Sequence, residues 1–177
     1  MSFMRKIIGI TMGDPAGVGP EITVKALRDP AVYEKCKPLV IGDRAILERA
    51  CHLVGAEEIQ IHPVSDPAQG LYQAGTIDLY DMELLTPEEY ELGQVSAKAG
   101  NAAFQYVRKT IELAMEGKVD ATVTNPLNKE AINLAGYHFS GHTEIYAHYT
   151  GTQHYTMMLA HENLRVGHVS THVSLRE

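Results

Sequence analysis

The segment Phe139-Ser140-Gly141-His142-Thr143-Glu144 sets an imidazole, a hydroxyl and a carboxylate in consecutive positions, beside a glycine that lets a ligand approach the backbone. Imidazole and hydroxyl together can hold a phosphate or hydroxy-acid oxygen, which makes His142 and Thr143 candidate substrate-binding residues. The same pattern also fits a helix start with Thr143 as its cap. The two assignments are compatible, because a helix start leaves free N–H groups that suit an anion. Just upstream, Thr124-Asn125-Pro126-Leu127-Asn128-Lys129 follows an apolar run that reads as a strand. Ligands of open α/β sheets collect at strand ends. Lys129 is therefore either a proton-transfer or phosphate-contacting residue or a solvated lysine at a helix start.

The nine histidines include two pairs spaced by four, His138 with His142 and His168 with His172. On a strand, His168, Ser170 and His172 would share one face. Two histidines can begin a metal site, but a catalytic site of the zinc type takes about three protein ligands and an open position. No HExxH and no Cys/His cluster supplies a third, so each histidine by itself reads as a surface or hydrogen-bonded residue.

The Gly-rich segment Gly13-Asp14-Pro15-Ala16-Gly17-Val18-Gly19-Pro20-Glu21 joins a strand to a helix, where phosphate-binding loops occur. It lacks the Lys-Ser/Thr of a P-loop and the third glycine of the dinucleotide fingerprint. Asp14 and Glu21 would also repel a phosphate on the loop. Its spacing fits a tight turn and a ligand loop equally.

The elements that must position these groups alternate. Apolar runs at residues 6–12, 38–42, 59–64, 76–82 and 119–124 predict strands, as do 155–160 and 164–170, joined by His161-Glu162-Asn163. Helices are expected after Pro20, from a cap at Asp43 through Leu53, after a Thr86-Pro87-Glu88-Glu89 capping box, over 95–115, and over 128–135 with Gly136 as the stop. Strands alternating with helices predict an α/β fold with a mostly parallel sheet.

Composition narrows the function classes. The 177 residues are 45% hydrophobic and 21% charged, which suits a globular chain with a sizeable core. A net charge of -7 argues against an extended nucleic-acid surface but leaves room for a local basic pocket. Cys36 and Cys51 form no CxxC pair and read as thiols in a reducing compartment. The apolar run 7–10 is too short for a signal peptide, and no stretch is long enough to span a membrane, so a soluble cytoplasmic protein is expected.

Three segments in register resemble one family. These are Thr11-Met12-Gly13-Asp14-Pro15-Ala16-Gly17-Val18-Gly19-Pro20-Glu21, then Thr124-Asn125-Pro126 with Lys129 and Gly141-His142-Thr143-Glu144, then Met157-Met158-Leu159 with Leu164-Arg165-Val166 and Thr171-His172. The chain resembles the 4-hydroxythreonine-4-phosphate dehydrogenase family. The resemblance implies an isocitrate/isopropylmalate dehydrogenase-like two-lobed α/β/α fold, with residues 1–177 as its N-terminal part and the C-terminal part absent from this chain. It implies a homodimer with the active site at the interface, and neither nucleic acid nor membrane as partner. NAD and a divalent metal cation (Zn, Mg, Mn or Co) would be cofactors. His142 and Thr143 would bind a phosphorylated small-molecule substrate. His172 would be one of three histidine metal ligands, the other two lying beyond this chain.

The implied reaction is oxidation, with decarboxylation, of a 4-phosphorylated hydroxy acid. The segments Thr124–Lys129 and His168–His172 look more like the branch acting on 4-phospho-D-threonate or 4-phospho-D-erythronate. The alternative is oxidation of 4-phosphohydroxy-L-threonine in pyridoxal phosphate biosynthesis. A reading of a different class is a non-catalytic anion-binding α/β module. Members of the family are nearly twice as long. Ser174-Leu175-Arg176-Glu177 has the form of a capping box that announces a further helix, so the chain is expected to be a piece of a longer protein.

Overall fold

Five short strands form one parallel sheet: β1 (Lys6–Thr11), β2 (Cys36–Gly42), β3 (Gln60–Val64), β4 (Thr76–Asp81) and β5 (Ala121–Thr124). Their order is β3-β4-β2-β1-β5. The computed structural model of the protein describes residues 5–170 together with Ser174 and Arg176. Leu39, Val40 and Ile41 of central β2 are all buried, the unbroken apolar run of a strand covered on both faces. The last residues of β1 and β5 pair, Thr11 with Thr124, so the loops leaving these strands emerge side by side at the carboxyl edge.

Helices α1 (Gly19–Leu27), α2 (Pro30–Lys35), α3 (Arg44–Leu53), α4 (Ala97–Met115), α5 (Lys129–Leu134) and α6 (His142–Thr150) complete the body. Local chemistry sets several starts. Pro20 occupies the first turn of α1, where its missing N–H costs nothing. The Ser96 hydroxyl accepts from the Ala99 N–H at the head of α4, and the Asn128 side-chain oxygen accepts from the Ala131 N–H, 3.1 Å, at the head of α5.

Helix α4 is apolar on two sides, which explains why it is the longest. Ala99, Ala102, Tyr106 and Leu113 join the core under the sheet. Phe104, Val107 and Ile111 join a second cluster with Ile132 of α5 and Ile145 of α6. Through α4 the sheet therefore fixes where α6 begins.

Several boundaries differ from the sequence expectation. Asp43 precedes α3 but makes no side-chain cap. Its carboxylate accepts instead from the Leu84 N–H at 2.9 Å and the Tyr106 hydroxyl at 2.6 Å, partners far along the chain that no local pattern announces. Thr86–Glu89 forms a capping box, with the Thr86 N–H 2.9 Å from the Glu89 carboxylate, but it heads a single 3-10 turn rather than a helix. Thr143 is not the cap of α6; Gly141 holds that position and His142 is the first helical residue. The two later strands are shorter than expected, β6 (Met158–His161) and β7 (Leu164–Gly167), and form an antiparallel hairpin separate from the sheet. The expected helix pattern at Ser174–Glu177 and the candidate ligand His172 lie outside the described residues, apart from Ser174 and Arg176. Among the described residues no helix is long and apolar enough to cross a membrane.

Candidate functional site

Two loops at the carboxyl edge of the sheet carry the sequence candidates. The first runs from Gly13 to Val18 and is closed on itself. The Asp14 carboxylate accepts from the Ala16 N–H at 2.9 Å, and the Gly17 N–H donates to the Asp14 carbonyl. The Asp14 N–H donates to the Pro126 carbonyl, 2.9 Å, tying this loop to the end of β5. Asn125 completes the lock: its N–H donates to Thr11 Oγ1, and its side-chain amide donates to Thr23 Oγ1 at 2.6 Å and to the Gly19 carbonyl. Asp14 and Asn125 are buried. Burial pushes the Asp14 carboxyl above its ordinary range, opposed by the Ala16 N–H bond.

The glycines here have steric work. Gly13 takes a positive φ of 82°, and a Cβ on Gly19 would lie 2.3 Å from the Met12 carbonyl oxygen. Every polar group just described is spent inside the protein. These internal bonds support the structural-turn reading of the Gly-rich segment.

The second loop behaves differently. From Gly136 the chain passes Tyr137, whose ring stacks on Phe104 of α4 at 3.7 Å between centroids and whose hydroxyl donates to the Asn101 side-chain Oδ1. The chain reaches Gly141 in an extended conformation, and α6 starts with no side chain capping it. Ile145, one turn in, is fully buried and anchors the helix. A cleft of about 330 Å³ opens at this helix start. Lys129, His142, Thr143 and Glu144 line one side, and Thr156, Met157 and His168 from the base of the hairpin line the other.

His142 is the informative group. Its Nε2 is enclosed and has no hydrogen-bond partner. Burial holds the imidazole below its usual pKa, so the ring is biased toward the neutral form. An enclosed polar atom without a partner is costly unless something completes it. The Tyr146 hydroxyl, one turn further, is also enclosed; it lies near Thr122 without a well-aligned bond. Lys129 is exposed and has no ion-pair partner among the described residues. Ammonium, neutral imidazole, hydroxyl and helix-start amides together suit an anionic, oxygen-rich ligand. A second depression of about 300 Å³ at the ends of β2 and β4 is ringed by Asp43, Glu48, Asp81, Glu83 and Glu89, with Arg44 as its one cation, and suits no phosphorylated ligand.

The structure thus brings together Lys129, His142 and Thr143, as the sequence suggested. His138 is exposed and lines no part of the cleft, so the His138/His142 spacing makes no pair. Among the described residues no three His, Cys, Asp or Glu side chains are placed to hold a metal ion. Thr156 and Met157 were missed as site residues: Met157 stood in a family-like segment but with no role assigned, and Thr156 had no signal, because the hairpin base lines the cleft only in three dimensions.

Comparison with known proteins finds relatives in both sequence and fold. The chain is 46% identical over 175 residues to the D-threonate 4-phosphate dehydrogenase of Cupriavidus necator, a match covering 99% of this chain and 52% of that protein. The crystal structure of a 4-hydroxythreonine-4-phosphate dehydrogenase from Burkholderia phymatum superposes with a TM-score of 0.91 at 48% identity, over 98% of this chain and 52% of that one. The 4-hydroxythreonine-4-phosphate dehydrogenase of Klebsiella pneumoniae superposes with a TM-score of 0.90 at 42% identity, over 98% and 52%. The chain spans about half the length of the relatives it matches. The sequence profile of the pyridoxal phosphate biosynthetic protein PdxA matches residues 34–177, and the solved relatives share the mixed α/β fold, so the chain belongs to the PdxA family.

Proposed function

We propose that this chain is the N-terminal part of an NAD-dependent, divalent-metal-dependent dehydrogenase that oxidises, with decarboxylation, a small 4-phosphorylated hydroxy acid. The observation that carries this reading is the enclosed, unpartnered Nε2 of His142 in a cleft that also holds Lys129 and Thr143. We favour 4-phospho-D-threonate or 4-phospho-D-erythronate, because the Cupriavidus necator relative is a D-threonate 4-phosphate dehydrogenase. The two solved relatives are 4-hydroxythreonine-4-phosphate dehydrogenases, which supports 4-phosphohydroxy-L-threonine as a second reading.

When bound, NAD supplies the hydride acceptor and the metal a Lewis acid for the reacting hydroxyl. The chain's own residues do the rest of the work assigned here. Lys129, the Thr143 hydroxyl and the uncapped amides of α6 hold an anionic end of the substrate. His142 hydrogen-bonds a substrate oxygen through its enclosed Nε2, and does so as a neutral ring. His172 is assigned as a metal ligand on the family resemblance. Its two companions belong to the length that the relatives have beyond this match.

A homodimer is part of the proposal. Both strands of the β6–β7 hairpin are exposed, with Leu159 at 61% and Leu164 at 66%, and an isolated two-stranded ribbon is marginal in water. A second copy covering the hairpin base would close the cleft. Localisation in the cytoplasm is the corresponding expectation.

The test is NADH formation by the full-length protein with each of the three phosphorylated acids, with and without divalent metal. Turnover of one of them that a chelator abolishes supports the enzyme. Tight binding of the acids without turnover supports a non-catalytic anion-binding module, and neither binding nor turnover removes the assignment altogether.

A further inference from the structure

The cleft has two walls of different chemistry. Its charged side chains, Lys129 and Glu144, stand on the α5–α6 side. The hairpin side carries Tyr155, Thr156, Met157, His168 and Ser170, with no carboxylate and no lysine or arginine among the described residues. His168 lies just past β7, half-buried, with its backbone held from both directions. Its N–H donates to the Met157 carbonyl at 3.0 Å, and its own carbonyl accepts from Thr156 Oγ1 at 2.7 Å. The ring has no hydrogen-bond partner among the described residues. A ring on a fixed backbone, lining the cleft and uncommitted inside the chain, is placed to meet a ligand.

We propose that His168 contacts the substrate and selects a hydroxyl over an ammonium on the carbon beside the substrate's carboxylate. This rests on the reading of the cleft as the substrate site. The candidate substrates of the preceding section differ at that carbon: the threonate and erythronate acids carry a neutral hydroxyl, the threonine derivative an ammonium at neutral pH. A hydroxyl both donates and accepts, so it pairs with an imidazole in either tautomer. An ammonium only donates and brings a full charge. On the hairpin wall it finds no carboxylate to offset its desolvation, and Glu144 is on the opposite wall beside Lys129. A site built to hydrogen-bond a hydroxyl discriminates through that bond more strongly than through shape alone.

The test uses the full-length protein without NAD, so that binding is read apart from turnover. Calorimetric titrations with 4-phospho-D-threonate and with 4-phosphohydroxy-L-threonine are run on the unmodified protein, on His168→Leu and on His168→Gln. The expected result is a loss of about tenfold in affinity for the threonate in His168→Leu and little change for the threonine derivative, with His168→Gln recovering most of the loss. A general weakening of the cleft would move both ligands together, so equal shifts for the two overturn the role of His168, as does no shift for either. If the unmodified protein binds neither acid, the reading of the cleft falls and this inference with it. If it binds both and only the selectivity is unmoved, the inference alone falls. A His168→Leu protein that loses its circular dichroism signal is replaced by His168→Met, for which equal shifts for the two ligands, or no shift for either, would count against the proposal.

Discussion

The Gly13–Val18 loop and the Ser140–Glu144 turn occupy comparable places, near the carboxyl edge of one sheet, and have opposite chemistry. In the first, Asp14 bonds its own loop, and Asn125 ties β5 to α1 through Thr23 and Gly19. In the second, the His142 Nε2 is enclosed without a partner. Both segments look like ligand loops in sequence. The difference is where their hydrogen bonds end, inside the protein or at its cleft. A polar group that the fold has satisfied contributes to stability; one that the fold has enclosed and left open is held for something else.

The largest effects should come from breaking the closed loop. Gly13→Ala would strain a positive φ and place a Cβ 2.7 Å from the Pro126 carbonyl oxygen, a backbone atom that cannot swing away. Gly19→Ala would press on the Met12 carbonyl. Each is expected to cost about 3 kcal/mol or more. Denaturant unfolding should show this as a large fall in the midpoint. A midpoint within experimental error of the unmodified protein would mean the loop is slack and free to bind.

Next in size is the effect of removing the open group. His142→Ala is expected to leave the unfolding midpoint unchanged or slightly raised, because it deletes an enclosed atom that has no partner. Affinity for the phosphorylated acid should fall by about tenfold or more, since a hydrogen bond to a charged or strongly polar ligand group is lost. A variant that unfolds readily but binds normally would invert the comparison and make His142 a structural residue. Asn125→Ala is the matching change in the closed network. It strips bonds to Thr23 and Gly19 from a buried position and should cost about 1–3 kcal/mol of stability, with affinity moving less than in His142→Ala.

Much of this contrast was legible in the sequence. The apolar run at β2, the long helix that ends at Met115 and the grouping of Lys129 with His142 and Thr143 follow from residue type and spacing. The rest depended on contacts between distant segments. Asp43 has the form of a helix cap and serves instead as a clamp on Leu84 and Tyr106, because burial gives those bonds more weight than a local cap exposed to water. The sequence could not choose between turn and ligand loop for Gly13–Gly19, since the deciding partner, Asn125, lies more than a hundred residues away. It saw His168 only as a neighbour of His172 on a strand face. The strand ends at Gly167, and His168 lines the cleft by virtue of the hairpin's placement.

The smallest expected effect separates the two loops by their response to acid. Burial places the His142 pKa below its ordinary value of 6.5, whereas burial raises the Asp14 pKa above 3.8. A lowered pKa in the folded state means that the unfolded chain takes up the proton first. The contribution of His142 is then fully present above pH 6.5 and is lost as pH falls through the folded value. Asp14 has the reverse sign: the folded state takes up the proton first, so its contribution is fully present below pH 3.8 and is lost as pH rises through the raised value. The two contributions slope with pH in opposite directions, which tells them apart. Relative to the unmodified protein, His142→Gln should gain stability as pH falls below 6.5, because glutamine carries no proton to be excluded. Asp14→Asn keeps an acceptor for the Ala16 N–H and should gain relative stability in the opposite direction, as pH rises through the acidic range toward neutrality. Thermal midpoints of the three proteins across acidic to neutral pH measure both slopes. If His142→Gln tracks the unmodified protein at every pH, the imidazole is solvated in both states, and the enclosed nitrogen that distinguishes this turn from the Gly-rich loop is not enclosed in solution.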